Sequence, residues 1–567
     1  MGDKKIKDRK LNNVITSEES KFWKFLSQSA YLNYDRIEMD KRLLTNFYKD
    51  QGYYNVNVTN SFVEFTDNGN FNLIFNIDSG KKFQFSKLEL NLSQEYDEKY
   101  FSKIKNQLTD LEGEDYSLNK IEKVLREIDK IALSKQYEFI NASLSEVIVN
   151  DDKLNIEISL VDSEKFYIEK INILGNEYTI EEVIRNSFIV DEGDPYNEIL
   201  FNKSINKIKS RNLFAKVEPK ISDGSTPNLK IIDITVEEQP TGEISLGAGI
   251  GTSGGSFGGG VKENNFLGKG IKLDTNATIA KNSLKGQFVY EKPNFNNTDN
   301  SLFTSISSTA QDYLEDFGYK TSKVGFSLGT AFEQYENLTL IPEINTEYEK
   351  LETTSTASSV LKKQEGSYFD AYLNYTVNYD LRNSKYRPNE GFMNSFYQEL
   401  PISSSNYEIV NAITSVKYKK FSNIVTKISF LGKSVNTLSS EDVRISKRLY
   451  IPSRVLRGFE SGKVGPIDKK DYVGGNYLSA VNFNATLPNF LTTFQNTDIS
   501  FFIDAANLWG IDYDSTIDDS SKIRSATGIA LDIFTPIGPL NFSLSAPITK
   551  SSTDKTETFR FNLGTTF

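Results

Sequence analysis

The pattern of hydrophobic and polar residues changes at Pro240. Before this point, apolar residues recur at helical spacing, as Ile121, Val124 and Ile128 do, and each such stretch precedes short alternating segments. After it, the alternation has a period of two and continues to the carboxyl terminus. A spacing of three and four residues predicts an amphipathic helix, whereas strict alternation predicts a strand. We therefore predict helices and strands up to residue 240, and strands beyond it.

The first part of the chain contains a unit that recurs three times. Each copy has a helical stretch and a strand pair and ends in an acidic turn, and successive copies lie roughly 80 residues apart. The second and third copies open with a strand, near 85–90 and 167–173, whereas the first copy lacks one. Its Gly2-Asp3 would correspond to Gly175-Asn176, which follows the opening strand of the third copy. We therefore expect the chain to begin inside the first of three domains, at 1–80, 81–164 and 165–240.

The strands of the second part have one apolar and one polar face. From Phe369 to Tyr379 the odd-numbered residues are apolar or aromatic, and the even-numbered residues are mostly polar. Repeated segments of this kind, about ten residues long, are typical of a transmembrane β-barrel with lipid outside and a polar lumen. A soluble antiparallel sandwich also alternates, but its interior would need more apolar residues than these Gly, Ser and Asn faces supply. The length of 241–567 predicts about 16 antiparallel strands, with 14 or 18 as alternatives.

Composition narrows the possible chemistry. The chain has 567 residues, no Cys, no His and a formal net charge of −11. The lack of Cys and His excludes thiol chemistry, the usual zinc sites and His-based triads, and the negative charge argues against nucleic acid. The sequence contains no run of about 18 apolar residues, so it predicts no transmembrane helix. The glycine-rich segment 242–260 lacks the Lys-Ser/Thr ending of a phosphate-binding loop. We therefore predict no enzyme, no cofactor and no metal site.

Six short motifs follow one another in order along the barrel region. They are Asp380-Leu381-Arg382-Asn383, Leu456-Arg457-Gly458-Phe459, Val473-Gly474-Gly475-Asn476, Phe501-Phe502-Ile503-Asp504-Ala505, Pro536-Ile537-Gly538-Pro539-Leu540 and Phe561-Asn562-Leu563-Gly564-Thr565-Thr566-Phe567. Each is short, but together and in this order they are specific. With them the chain resembles the BamA family of outer-membrane assembly factors, within the wider superfamily of barrels preceded by POTRA domains. The resemblance covers the whole chain, although the family has Val where this sequence has Leu456.

The resemblance implies an architecture and a role. The architecture is α+β POTRA repeats of the order β-α-α-β-β, followed by an all-β transmembrane barrel at 241–567 with a lumenal loop around 453–466. The role is that of an insertase at the centre of the β-barrel assembly machinery, in the outer membrane, with its POTRA domains in the periplasm. The implied partners are unfolded outer-membrane β-barrel clients, lipoproteins of the machinery bound through the POTRA domains, and the lipid bilayer.

Other functions remain open at this point. A barrel of the TamA kind, or a two-partner-secretion pore, also carries POTRA domains, and three repeats match the TamA count. The BamA family has five repeats, which agrees with a chain that begins inside a repeat. A passive porin is a further alternative, and it would require that the loop bearing Arg457 leave the lumen open.

The resemblance assigns a partner to the loop motif. In the family this arginine, Arg457 here, reaches inward to acidic residues of the barrel wall. Asp504 is the candidate, because it lies on the face opposite Phe501 and Ile503 and should point into the lumen. The second acidic partner of the family falls at Asn484, so we expect a smaller network. Such a pair is bidentate and directional, and could hold a long loop in place. The alternative is that Asp504 is a solvated lumenal residue.

The first and last strands should meet at a seam. The first strand, near 243–251, is rich in glycine, which weakens a strand, and it must close against 559–567. We hypothesise that this seam opens laterally and that the first strand templates the closing strand of clients. The alternative is that the glycines only accommodate the loop. The residues assigned to the seam are Ile244, Leu246, Gly247, Gly249, Phe561, Leu563, Gly564 and Phe567.

Overall fold

The structure is a computed structural model. It describes residues 2–3, 5–12, 14–17, 34–65, 71–94, 96–135, 140–162, 166–251, 254–385, 387–421, 424–488, 497–519, 522–535 and 538–563. These residues form two compact units. One unit comprises 1–174, 188–208 and 217–235, and the other comprises 175–187, 209–216 and 236–567.

The helices lie mainly in the first part of the chain. They are α1 (Asp8–Asn12), α2 (Tyr34–Asp50), α3 (Glu98–Leu111), α4 (Leu118–Ser134), α5 (Glu181–Arg185), α6 (Glu198–Ser210) and the short α7 (Ser359–Lys362). Within the described residues, none of these helices is long and apolar enough to cross a bilayer.

Three small sheets accompany the helices α1 to α6. Their strands are β1 (Asn57–Phe65), β2 (Phe71–Asp78), β3 (Gln84–Leu92), β4 (Ile140–Asn150), β5 (Lys153–Asp162), β6 (Tyr167–Leu174), β7 (Phe214–Asp223) and β8 (Leu229–Glu238). β1 pairs with β2, and the other two sheets have the orders β3-β5-β4 and β6-β8-β7. In both of these, the opening strand runs parallel to the last one. The predicted β-α-α-β-β order is therefore confirmed for the second and third copies.

The core of the second repeat shows why its helices form. Ile121, Val124 and Ile128 on α4 are buried, and so are Leu154 and Ile156 on β5. All of them belong to one hydrophobic cluster. The three helical residues are spaced by three and four positions, so one face of α4 packs on the sheet. Burying each such side chain contributes about 1.5–3 kcal/mol.

A tyrosine joins the first repeat to the second. The Tyr54 hydroxyl donates a hydrogen bond to Glu146 Oε2 at 2.9 Å, and its ring centroid lies 5.1 Å from that of Tyr116. Burial, with the Glu146 carboxylate, raises the pKa of Tyr54 to about 12. The phenol therefore remains a hydrogen-bond donor at physiological pH.

Two glycines hold matching positions in the first and third repeats. Gly2 and Gly175 are both left-handed, with φ of 83° and 86°. A Cβ on Gly2 would lie 2.3 Å from the carbonyl oxygen of Ile77, and a Cβ on Gly175 would lie 2.1 Å from that of Val236. Each glycine therefore touches the end of the last strand of its repeat, which only a residue without a side chain allows.

Sixteen antiparallel strands close into a barrel, as the sequence predicted. They are β9 (Gly242–Gly251), β10 (Gly254–Phe266), β11 (Ile271–Ala280), β12 (Ser283–Lys292), β13 (Ser301–Tyr313), β14 (Tyr319–Tyr335), β15 (Leu338–Thr353), β16 (Gly366–Asp380), β17 (Gly391–Ser403), β18 (Glu408–Phe421), β19 (Ile424–Thr437), β22 (Tyr477–Leu487), β23 (Thr497–Trp509), β24 (Arg524–Thr535), β25 (Gly538–Thr549) and β26 (Phe559–Leu563). Two short strands, β20 (Ile467–Asp468) and β21 (Asp471–Tyr472), pair with each other in the loop between β19 and β22.

The two faces of the barrel wall differ as alternation requires. Phe369 is 62% exposed on the outer face, whereas Asp370 and Tyr372 on the same strand are fully buried inside. The expectation of a polar lumen is wrong for part of the wall. Leu478 on β22 and Leu508 on β23 face inward and are buried, because a long loop packs against them inside the barrel.

Candidate functional site

The connection between β19 and β22, residues 438–476, lies inside the barrel and is named the lumenal loop below. Its residues Leu456, Phe459 and Val464 are at most 1% exposed. They share a hydrophobic cluster with Leu508 and Ala526, which project inward from β23 and β24. The loop motif thus lies against the inner wall of the barrel.

Arg457 and Asp504 form a bidentate pair. Arg457 Nε donates to Asp504 Oδ2 at 2.7 Å, and Nη2 donates to Oδ1 at 2.7 Å. The backbone N–H of Arg457 adds a third hydrogen bond, at 3.1 Å, and Asn482 adds a fourth, at 2.8 Å. Asn484 Oδ1 accepts from Arg457 Nη2 at 2.9 Å. The Asp504 side chain is fully buried and that of Arg457 is 17% exposed, so solvent screens this pair only weakly.

An aromatic ring supports the guanidinium. The Arg457 guanidinium carbon lies 3.5 Å from the ring centroid of Phe502 on β23. A Cβ on Gly528 of β24 would come within 2.7 Å of that ring and 2.2 Å of the Leu544 carbonyl oxygen. The glycine therefore leaves the space that the ring fills. A cation–π contact of this kind contributes about 0.5–2 kcal/mol.

Gly458 lets the loop approach the wall closely. Its φ is 89°, in the left-handed region. A Cβ there would lie 3.1 Å from Ala526 Cβ and 3.3 Å from Ser545 Cβ. Any larger residue would strain the backbone and push the loop away from β24 and β25.

A second arginine of the loop, which the sequence analysis missed, binds another part of the wall. Arg444 Nη2 lies 2.5 Å from Asp370 Oδ2 and 2.6 Å from Glu408 Oε2, and Nη1 lies 3.3 Å from Glu349 Oε2. All four side chains are fully buried. The three carboxylates come from β16, β18 and β15, so the loop is tied to the wall at a second place. The sequence did contain a signal for this cluster, namely acidic residues at lumen-facing positions. Buried carboxylates need a cationic partner, so an arginine of the loop could have been expected near them.

The described part of the seam joins β26 to β9. Among the described residues, the two strands pair only as Asn562 with Gly251 and Leu563 with Ile250. On its other side, β9 pairs with β10 at ten positions. The residues that follow Leu563 lie outside the described part of the chain.

The structure brings together only some of the residues predicted for the seam. Leu563 pairs with β9, and Phe561 pairs with Phe542 of β25. Ile244 and Leu246 lie on β9 and are 77% and 75% exposed. Four predicted residues have no partner on β26 within the described part of the chain, namely Ile244, Leu246, Gly247 and Gly249. Gly564 and Phe567 lie outside the described residues.

The end of the β9–β10 hairpin opposite its turn is held by hydrogen bonds to residues 179–180. The Ile180 N–H donates to the Gly268 carbonyl at 2.9 Å, and Asn265 donates to the Thr179 hydroxyl at 2.8 Å. Glu238 accepts from the Thr179 N–H at 2.6 Å. The turn after β10 is therefore fixed to the segment that follows β6.

Comparisons with known proteins agree with this architecture. A sequence profile described as the Omp85 superfamily domain matches residues 265–567, and a POTRA profile, described as a surface antigen variable number repeat, matches 1–80 and 166–239. The outer membrane protein assembly factor BamA of Neorickettsia risticii is 22% identical over 579 residues, which cover 100% of this chain and 77% of the relative. The BamA of Neisseria meningitidis is 22% identical over 618 residues, with the same coverage.

A solved structure has the same fold. The crystal structure of BamA from Haemophilus ducreyi lacking POTRA domains 1–3 aligns with a TM-score of 0.62 and 22% sequence identity. The alignment covers 86% of this chain and 100% of that chain. Since the superfamily profile spans more than half of the sequence, the chain belongs to the Omp85 superfamily.

Proposed function

We propose that this protein is an outer-membrane protein insertase, the central component of a machinery that folds client β-barrel proteins and inserts them into the outer membrane. The barrel lies in the outer membrane and the POTRA domains lie in the periplasm. The relatives described above are outer membrane protein assembly factors, and they match the chain over its whole length. This favours assembly over the TamA-like and two-partner-secretion alternatives.

The observation that carries the mechanism is the seam at which the glycine-rich β9 closes against β26. A strand that enters lipid with unsatisfied backbone groups loses several kcal/mol for each group. A growing client barrel therefore needs a partner for its edge. β9 contains four glycines, which weaken a strand, and it closes the barrel against β26, so β9 is the edge that we expect this barrel to expose.

The exposed side of β9 suits a client strand. Ile244 and Leu246 point outward, while Gly247 and Gly249 alternate with the apolar positions. A client strand that pairs with β9 continues this alternation, so its apolar face meets lipid. The last strand of the protein itself pairs at this edge, and client closing strands of similar pattern would compete with it.

The repeats supply further edges for partners. β4 is an edge strand of its sheet, and its Val147 and Val149 are 54% and 49% exposed. Extended segments of unfolded clients or of lipoproteins of the machinery can add to such an edge by β-augmentation. The proposal involves no cofactor and no chemical reaction, because folding in the bilayer supplies the free energy.

The lumenal loop argues against a passive porin. Arg444 and Arg457 bind separate parts of the inner wall, at β15, β16 and β18 and at β23, through buried carboxylates. The loop between and beyond these anchors packs against the inner wall, whereas a porin needs an open lumen. We therefore expect no large, steady conductance.

A reversible cross-link tests the seam. Ile250→Cys with Leu563→Cys places two thiols at paired positions in a chain that has no other Cys. We expect the oxidised protein, reconstituted in liposomes, to lose client folding, measured by the gel mobility of a client barrel, and to recover it on reduction. The matched control is Phe288→Cys with Ile306→Cys, which joins β12 to β13 away from the seam and should leave folding unchanged. Normal client folding with the seam bond formed would reject lateral opening.

A further inference from the structure

The lumenal loop also pairs with the segment that leads into β26. Phe459 and Thr556 form an antiparallel bridge. Three backbone hydrogen bonds surround it: Glu557 N–H to Gly458 O at 3.0 Å, Glu460 N–H to Lys555 O at 3.0 Å, and Lys555 N–H to Lys463 O at 3.1 Å. We name this contact between 458–463 and 555–557 the brace. It continues the closing strand with a partner that belongs to the loop.

A buried ion pair reinforces the brace. Arg524 Nε on β24 lies 3.0 Å from Asp554 Oδ2, and the two side chains are 5% and 0% exposed. The Gly465 N–H of the loop donates to Asp554 Oδ1 at 3.3 Å. The Tyr472 hydroxyl donates to the Thr553 carbonyl at 2.7 Å. The residues just before β26 are therefore fixed both to the loop and to the wall.

The brace gives the closing strand a support that does not depend on β9. Within the described residues, β26 pairs with β25 at five positions and with β9 at two. A continuous set of contacts runs from Asp504 through Arg457 to Gly458, and from the Gly458 carbonyl to the Glu557 N–H. The residues just before β26 are therefore attached to the loop independently of the pairing between β26 and β9.

We propose that the lumenal loop positions the closing strand while the seam opens, with Arg457, Gly458 and Asp554 as positioning residues. This inference rests on the function proposed for the seam. It assigns the two sides different roles: β9 offers its edge to the client, and β26 is held by the brace so that the rest of the barrel stays intact. The loop therefore remains docked throughout client insertion.

The first test concerns the isolated protein in lipid nanodiscs. Asp554→Asn keeps the shape of the side chain but removes its charge, so the ion pair with Arg524 is lost. We expect amide hydrogen exchange of 555–563 to become about tenfold faster. The matched control, Asp518→Asn, changes an aspartate that is 71% exposed in a neighbouring loop, and should leave that segment unchanged. Equal exchange in both variants and the wild type would overturn the inference.

The second test locks the brace. Glu460→Cys with Lys555→Cys places two thiols on opposed residues of an antiparallel pair, within about 5.5 Å between Cα atoms and so within disulfide reach. We expect the oxidised protein to fold clients at the wild-type rate, because the brace does not open. Loss of client folding on oxidation would show that the loop must release, and would overturn the inference. If client folding stays intact when the cross-link between 250 and 563 is formed, the function proposed for the seam is wrong. The hydrogen-exchange measurement is independent of that result and still shows whether the brace holds residues 555–563.

Discussion

The pair of Arg457 and Asp504 should respond to mutation as a unit. Two direct hydrogen bonds of 2.7 Å join the charged groups, and each charged hydrogen bond contributes about 1.5–3 kcal/mol. The carboxylate is fully buried, so Asp504→Asn or Arg457→Gln alone leaves a shielded charge without its counter-charge, at a cost of about 3–5 kcal/mol. The double variant leaves no such charge, so we expect it to cost hardly more than either single variant.

Denaturant unfolding of the detergent-solubilised barrel measures these costs as a double-mutant cycle. Lys522→Gln serves as the control, because its bridge to Asp518 is exposed and should contribute nothing measurable. A charge-reversed pair, Arg457→Asp with Asp504→Arg, should recover part of the stability lost in each single reversal. Strictly additive single costs, or a reversed pair no better than its single variants, would refute the pairing.

Three further substitutions test other contacts. Arg444→Met leaves three buried carboxylates without their cation, so unfolding free energy should fall by about 3–5 kcal/mol, and adding Glu408→Gln should restore part of it. Gly458→Val places a Cβ at a left-handed residue against the wall. It should cost about 1–3 kcal/mol and speed proteolysis of the loop. Tyr54→Phe removes the hydrogen bond to Glu146, and should lower the stability of the repeats by about 1 kcal/mol, measured by thermal unfolding.

Local pattern was sufficient for the fold class and the barrel. The alternation around 369–379 depends only on which face of the strand contacts lipid, so the strand and its outward face can be predicted from the sequence. The same rule placed Asp504 opposite Ile503, and in the structure its carboxylate contacts Arg457. The expectation of a polar lumen was wrong at Leu478 and Leu508. It assumed that lumen-facing residues contact water, whereas these two contact the lumenal loop.

Contacts between distant strands could not be read from the sequence. The Arg444 cluster depends on the stagger of β15, β16 and β18, which brings Glu349, Asp370 and Glu408 to one level of the barrel. The alternating pattern predicts which face of the barrel each residue occupies. It does not predict the residue's position along the barrel axis relative to residues of other strands. The brace between 458–463 and 555–557 is equally invisible, since backbone hydrogen bonds carry no residue signature.

The position of the lumenal loop also constrains the order in which the barrel folds. Arg444 binds strands that precede the loop in the chain, whereas the brace requires residues 555–557, near the carboxyl terminus. Contacts of such long sequence separation form late and slowly. The loop can thus be fully docked only when the last hairpin arrives, so plugging of the lumen and closure of the wall should occur as one late folding step. A chain stopped before that step would expose an edge and an open lumen together.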